Sequence, residues 1–75
     1  MTPNTYVTID YVSDPDRFLR FTYNGSLTVN VYEVTTDPDT GAETMTALDC
    51  IMYQDRPTRS EVDETTARYF EGWRQ

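Results

Sequence analysis

The segment TTDPDTGAE, residues 35–43, carries the side chains that most resemble a cation-binding loop. Two aspartates flank a proline in this segment, and a glycine and a glutamate follow. Counted from Asp37, an EF-hand calcium loop requires a glycine at its sixth position and a glutamate at its twelfth, where this sequence has Ala42 and Leu48. Aspartate, proline and glycine are also the residues that tight turns favour. The segment therefore predicts a hairpin turn and no metal site.

The rest of the sequence contains no recognisable catalytic set. The chain has no histidine and no lysine, and Cys50 is its only cysteine. These absences exclude a Ser/His or Cys/His nucleophile–base pair, and also a zinc site built from several cysteines and histidines. The lone Cys50 is predicted to be a buried, inert thiol. We expect no enzymatic activity and no cofactor.

The charge of the chain is strongly acidic, with 13 Asp and Glu against 6 basic residues and a net charge of -7. Because contacts to phosphates need Lys and Arg, direct binding to nucleic acid is disfavoured. All 6 basic residues are arginine, a bias typical of GC-rich bacterial, archaeal and phage genomes. No apolar run approaches the ~18 residues of a membrane span, and the start lacks a secretion-signal pattern. These features predict a cytoplasmic protein of a bacterial or archaeal cell with no membrane partner.

Four segments show the alternation of apolar and polar residues that is typical of β-strands. We place the strands at about residues 5–12, 17–23, 26–34 and 44–53. The side chains predicted to face the core are Val7, Ile9 and Tyr11, then Leu19, Phe21 and Tyr23, then Leu27, Val29 and Val31, and finally Leu48, Cys50 and Met52. The order of these segments predicts an antiparallel meander.

The sequence YNG, residues 23–25, predicts the turn between the second and third strands. A two-residue turn here would mix polar and apolar side chains on both faces of the hairpin. A three-residue loop with Gly25 in the left-handed region instead pairs Phe21 with Leu27, which keeps apolar side chains together. We therefore predict the three-residue loop.

Residues 60–73 change to the period of an α-helix. Ser60 is the predicted N-cap, since serine is favoured at this position. The predicted core-facing side chains of the helix are Val62, Thr66, Tyr69, Phe70 and Trp73. A four-stranded sheet needs such a cover to keep one face dry. The sequence thus predicts one α+β domain over residues 1–75, a four-stranded antiparallel meander with a C-terminal helix on one face (ββββα).

Acidic side chains are predicted to gather at one end of this sheet. In a meander the first and third turns lie at the same end, and both contain Asp-Pro-Asp. The predicted cluster, which we call the acidic rim, consists of Asp14, Asp16, Asp37, Asp39 and Glu43. We expect only Arg17 to oppose it nearby. Two interpretations stay open, because acidic turns can simply favour solubility or can steer a basic partner.

The helix covers one side of the sheet, and we call the other side the open face. The residues of this face that best suit a protein interface are predicted to be Phe18, Arg20, Tyr32, Ile51 and Tyr53. Aromatic residues and arginine are enriched at binding hot spots. Aromatic residues on strands are also typical of cross-strand pairing within one sheet. The open face is therefore predicted either as a docking surface or as ordinary sheet packing.

These features favour a small acidic protein-interaction module that binds and inhibits or modulates a larger protein. The expected partner has a basic surface or handles nucleic acid, since an acidic rim would complement it. The most specific form of this prediction is a phage-encoded inhibitor of a host defence complex. The alternative is a structural or assembly subunit, such as a small phage protein, that forms a homodimer or larger assembly through the open face or a strand edge.

Overall fold

The computed structural model describes residues 7–74, which form four β-strands followed by one α-helix. The elements are β1 (Val7–Tyr11), β2 (Arg17–Tyr23), β3 (Thr28–Thr36), β4 (Glu43–Met52) and α1 (Arg59–Trp73). The strands form one antiparallel sheet in the order β1-β2-β3-β4. The predicted ββββα architecture is confirmed. Residues 5 and 6, predicted to begin the first strand, lie outside the described residues.

The core lies between the sheet and α1 and contains several aromatic rings. Its fully buried members are Leu19, Phe21, Val29, Val31 and Val62. The ring of Tyr11 stacks on that of Phe70 with 5.1 Å between centroids and meets Phe21 edge-on at 5.6 Å. Such pairs each add about 0.5–1.5 kcal/mol to the free energy gained from burial. The aromatic residues therefore compensate for the small number of core positions.

The predicted core-facing side of the helix is confirmed. Val62, Thr66 and Phe70 are buried, while Tyr69 and Trp73 are half-buried and pack against the core. Thr66 is polar but satisfied, because its hydroxyl lies 2.9 Å from the Tyr11 hydroxyl and donates to the Asp63 carbonyl oxygen at 3.0 Å. A buried hydroxyl without such partners would be destabilising.

Helix α1 is capped by Thr58, so the predicted N-cap Ser60 is wrong. The Thr58 hydroxyl accepts a hydrogen bond from the Glu61 backbone N–H at 3.2 Å. In return the Glu61 carboxylate accepts one from the Thr58 backbone N–H at 2.8 Å. This reciprocal capping box requires Glu or Gln three residues after the cap, which Thr58 has and Ser60 lacks.

The pairing of β2 with β3 differs from the predicted register. Phe21 pairs with Val31, four positions beyond Leu27, so the predicted Phe21–Leu27 pair is wrong. Both registers keep Phe21 beside an apolar residue, and alternation alone could not separate them. Leu27 instead is 41% exposed, and its carbonyl oxygen accepts a hydrogen bond from the Tyr53 N–H at 2.8 Å.

Side-chain hydrogen bonds hold open the wider loop between β2 and β3. The Asn24 side-chain oxygen accepts hydrogen bonds from the Ser26 N–H at 3.1 Å and from the Ser26 hydroxyl at 2.6 Å. The same hydroxyl oxygen accepts from the Thr28 N–H at 3.3 Å. Gly25 has φ 84°, so its predicted left-handed conformation is confirmed. These local bonds, rather than the strand pattern, set the loop length.

The side chains of β4 that face the core differ from those predicted. Leu48, Cys50 and Met52 were predicted to face it, and the alternate residues do so instead. Ile51 pairs with Val29 and packs against the core, as does Tyr53 just beyond the strand. The predicted positions of Ile51 and Tyr53 on the open face are therefore wrong. The Tyr53 hydroxyl donates to the Thr65 hydroxyl of α1 at 2.6 Å, which draws its ring to the helix side. Met52 consequently faces away from the core and is 74% exposed. Cys50 is exposed as well, so its predicted burial is wrong.

A β-bulge divides β4 into two halves. Val31 pairs with Asp49 and Tyr32 pairs with Ala47, which leaves Leu48 as the extra residue on β4. A bulge increases the local twist and interrupts the regular ladder of the strand that carries it. The two halves of β4 therefore turn opposite alternating sets of side chains toward α1: Thr44 and Thr46 before the bulge, and Asp49 and Ile51 after it.

Candidate protein-interaction surface

The structure brings the two Asp-Pro-Asp turns together at one end of the sheet. The Thr36 N–H donates to the Asp16 carbonyl oxygen at 3.0 Å, which links the first turn to the end of β3, directly before the second turn. The Asp14 carboxylate accepts from the Asp16 N–H at 2.9 Å, and the Asp37 carboxylate accepts from the Asp39 N–H at 2.8 Å. The first aspartate of each turn therefore stabilises its own turn. The second aspartate of each turn is exposed to solvent.

The segment that resembled a cation-binding loop forms a turn, as predicted. The Gly41 N–H donates to the Asp37 carbonyl oxygen at 2.8 Å, and the Asp37 N–H donates to the Ala42 carbonyl oxygen at 2.8 Å. Gly41 has φ 76°, a conformation that favours glycine. Across residues 7–74, no three His, Cys, Asp or Glu side chains are grouped so that they could hold a metal ion.

Arginines oppose the acidic side chains in a different way from that predicted. Arg17 forms an ion pair with Glu33, and its guanidinium lies 4.8 Å from the centroid of the Trp73 ring on the α1 side. Arg20 instead reaches the acidic rim, where its Nη1 donates to Glu43 at 3.2 Å. The expectation that only Arg17 opposes the rim is therefore wrong, because register places Arg20 on the same face as Glu43.

Arg20 is held on the open face by two carboxylates. Its Nε and Nη2 donate to the two Asp10 oxygens at 2.8 and 3.1 Å, a bidentate arrangement that is stronger than a single bond. The hydrogen bonds with Asp10, and then with Glu43, raise the pKa of Arg20 above its ordinary value. Its guanidinium also lies 5.5 Å from the centroid of the Phe18 ring. Arg20 thus joins β1, β2 and β4, and a role in partner binding stays a prediction.

Phe18 and Tyr32 lie on the open face with Arg20 but present little apolar surface. Phe18 is 6% exposed and pairs with Val34, which is fully buried. Tyr32 is half-buried and pairs with Arg20 on one side and Ala47 on the other. Phe18, Arg20 and Tyr32 therefore share the open face, as predicted. Contacts within the sheet already bury much of the surface of these three side chains.

The most exposed strand is β4, which the sequence analysis did not single out. Nine of its ten residues are exposed, and only Ile51 is half-buried. The exposed side chains include Met45 at 45%, Leu48 at 41% and Met52 at 74%. Strand β4 lies at the edge of the sheet. The predicted meander contained this signal, because the last strand of a sequential meander is always an edge strand.

The first half of β4 is uncovered on both faces of the sheet. Met45 and Ala47 on the open face, and Thr44 and Thr46 on the α1 side, are all exposed. Helix α1 lies over the second half instead, where the Tyr69 hydroxyl donates to the Asp49 carboxylate at 3.2 Å. Residues 43–47 therefore form a corner of the sheet that protrudes beyond the helix.

A separate cleft of about 400 Å³ lies between the β1–β2 turn and the end of α1. Its lining consists of Ser13, Asp14, Arg17, Trp73 and Arg74. Arg74 pairs with Glu71 at 3.5 Å, and Arg17 pairs with Glu33. Both arginines are therefore engaged within the domain. The cleft lining contains no histidine or lysine that could activate Ser13 for nucleophilic chemistry, and the Asp14 carboxylate accepts the Asp16 N–H.

Comparison with known proteins gives no match that could assign a function. No protein-family model matches the sequence, and neither the curated proteins nor the solved structures contain a significant match. Among residues 7–74, no helix combines the length and the apolar character needed to cross a membrane.

Proposed function

We propose that this protein is a small acidic interaction module that binds a larger protein with a basic surface. The observation that carries the proposal is the exposure of β4, in which nine of ten residues are exposed. Long exposed edge strands with apolar side chains are unusual in isolated domains, because they favour association with other chains. A bound protein would cover Met45 and Leu48 together with this edge.

The charges near β4 support a basic partner. Residues 37–55 contain five acidic residues and no basic residue. Opposite charge on a partner would accelerate association, and salt would weaken this attraction. Proteins that handle nucleic acid present such basic surfaces. In the cytoplasm of a bacterial or archaeal cell, a module that occupied such a surface would act as an inhibitor, and a phage-encoded inhibitor of a host defence complex is the most specific form of the proposal.

Self-association is the second candidate function, and the same exposed edge supports it. Two copies could pair their β4 edges or open faces to form a homodimer or an assembly subunit. Each copy carries a net charge of -7, however, and the β4 region of one copy would meet an equally acidic region of the other. Like charges across an interface are destabilising. We therefore place the basic partner first.

Affinity capture with matched variants tests the proposal. The bait is the full chain, the source is a lysate of the bacterial or archaeal cell in which the protein acts, and retained proteins are identified by mass spectrometry. The rim variant Asp37→Asn/Asp39→Asn removes two exposed charges beside β4. The control variant Glu64→Gln/Glu71→Gln removes two exposed charges from α1. We expect a basic protein that the wild type and the control retain, and that the rim variant or high salt releases.

Light scattering at low and high salt separates the two candidate functions. A monomer at both salt concentrations agrees with a module that needs a different partner. A stable dimer or larger assembly at both would contradict the proposal and favour the self-associating subunit. Equal retention of a captured protein by the rim variant and the control variant would contradict the steering role of the acidic rim.

A further inference from the structure

We infer that the first half of β4, residues 43–47, binds an extended basic segment of the partner as a fifth strand of the sheet. The inference rests on the proposed function and identifies its contact surface. Strand β4 pairs with β3 on one side, and its outer side is an edge of the sheet. An edge strand presents backbone N–H and C=O groups that can form a ladder with an added strand.

The half of β4 after the bulge is protected against such addition. The Tyr53 N–H donates to the Leu27 carbonyl oxygen, and hydrogen-bonded pairs alternate along an antiparallel ladder. The Cys50 N–H therefore points away from β3, toward the outer edge. This N–H donates to the Asp49 carboxylate at 2.8 Å, and the same carboxylate accepts from the Tyr69 hydroxyl. Asp49 thus covers an edge donor that an added strand would need.

The bulge sets the limit of the surface that can accept a strand. The extra residue Leu48 interrupts the regular ladder, and a bulge at an edge commonly ends pairing. Residues 43–47 lie before the bulge, so neither the Asp49 carboxylate nor α1 covers them. Five residues are close to the usual length of a strand, about 5–6 residues.

The side chains around residues 43–47 select for a basic segment. Met45 and Ala47 flank the edge on the open face, and Thr44 and Thr46 flank it on the α1 side. The carboxylates of Asp37 and Asp39 lie in the turn just before the strand. A fifth strand with alternating arginine and apolar side chains would complement both the exposed apolar residues and the acidic turn.

The same charges argue against a second copy of this chain at this edge. Antiparallel pairing of residues 43–47 with the same residues of a second copy would place the acidic turn before β4 beside Asp49 of that copy. Residues 37–55 contain no basic residue that could face the acidic residues of the other copy. Like charges on neighbouring strands are destabilising. The occupant is therefore a basic segment of a different protein.

A synthetic peptide of about ten residues, in which arginine alternates with valine, is the probe for this inference. The control peptide has the same sequence with N-methyl groups on alternate residues, which removes backbone donors and keeps every charge. Affinity is measured by fluorescence anisotropy with the full chain at low salt. We expect N-methylation to weaken binding by at least about tenfold, since a short strand contributes several hydrogen bonds.

Two matched variants locate the contact. Met45→Lys and Met52→Lys place the same charge on exposed residues of the same strand, before and after the bulge. We expect Met45→Lys to weaken peptide binding about tenfold more than Met52→Lys does. Amide hydrogen exchange measured by NMR should show new protection at residues 43–47 when the peptide binds. Circular dichroism checks that both variants remain folded.

Several outcomes would overturn strand addition. Equal affinity for the two peptides, or equal effects of the two variants, would show binding by charge alone, and this outcome would leave the proposed function standing. No binding of the peptide at low salt would overturn the inference, while affinity capture with the rim variant would still decide the proposed function. Protection of residues 43–47 that rises with protein concentration without peptide would assign the edge to a second copy.

Discussion

At the scale of single residues, Tyr69 links α1 to the protected half of β4. Its hydroxyl donates to the Asp49 carboxylate at 3.2 Å. Burial of the ring, and to a smaller extent the negative charge of Asp49, raise the pKa of Tyr69 above its ordinary value of 10.0. The folded state therefore favours the neutral hydroxyl more strongly than the unfolded state does.

This raised pKa predicts a loss of stability at alkaline pH. The contribution of Tyr69 to the free energy of unfolding is fully present below the unfolded pKa of 10.0 and is lost as pH rises through the higher folded pKa. The stability advantage of the wild type over Tyr69→Phe should therefore shrink above about pH 10. Urea unfolding across this pH range, followed by circular dichroism, measures the difference. The Asp49→Asn variant should retain part of this pH dependence, because burial of the Tyr69 ring is the larger cause of the raised pKa. A pH-independent difference between the wild type and Tyr69→Phe would contradict this prediction.

The surroundings of individual residues could be predicted from the sequence only in part. Alternation places Phe18, Arg20 and Tyr32 on one face, because the side chains of a strand alternate between its two sides. The carboxylates that hold Arg20 are 10 and 23 positions away along the chain, at Asp10 and Glu43. Which carboxylate meets which arginine depends on strand register, and that information is not local in the sequence.

At the scale of secondary-structure elements, the start of α1 provides a direct test of the capping geometry. Thr58→Ala removes the hydroxyl that accepts from the Glu61 N–H, and should lower the free energy of unfolding by about 1 kcal/mol. Ser60→Ala is the matched control, because Ser60 is exposed within the first turn. The control should change stability by less than about 0.5 kcal/mol. Urea unfolding measures both values, and equal losses would contradict Thr58 as the cap.

The identity and order of the elements were predictable, whereas the fine placement of β4 was not. In strands β2 and β3, the core-facing residues Leu19, Phe21, Val29 and Val31 recur at every second position. Edge strand β4 has apolar residues in both alternating sets, because Met52 lies in one and Ile51 in the other. Its bulge also changes which set faces the core. The inward position of Ile51 is determined by contacts with the finished core and not by the local pattern.

At the scale of the whole molecule, one thin core supports the entire domain. The described protein measures 42 × 32 × 17 Å, so its short dimension holds a single sheet and a single helix. Domains of this size are only marginally stable, since they bury a smaller fraction of their surface on folding than larger domains do. Rings that connect α1 to the sheet should therefore have large effects on the stability of the whole chain.

Two aromatic substitutions in α1 measure how this stability is distributed. Phe70 is 8% exposed and stacks on Tyr11, so Phe70→Ala should lower the free energy of unfolding by about 3–5 kcal/mol. Trp73 is half-buried at the end of the helix, beneath Arg17, and its loss should have a smaller effect of about 1–3 kcal/mol. Urea unfolding followed by circular dichroism suits both variants, because the signal does not require tryptophan. Since small domains have total stabilities of about 5–15 kcal/mol, Phe70→Ala should leave little of the fold's stability. An equal or larger loss in Trp73→Ala would show that the end of α1, beside the β1–β2 turn, contributes most to holding the helix on the sheet.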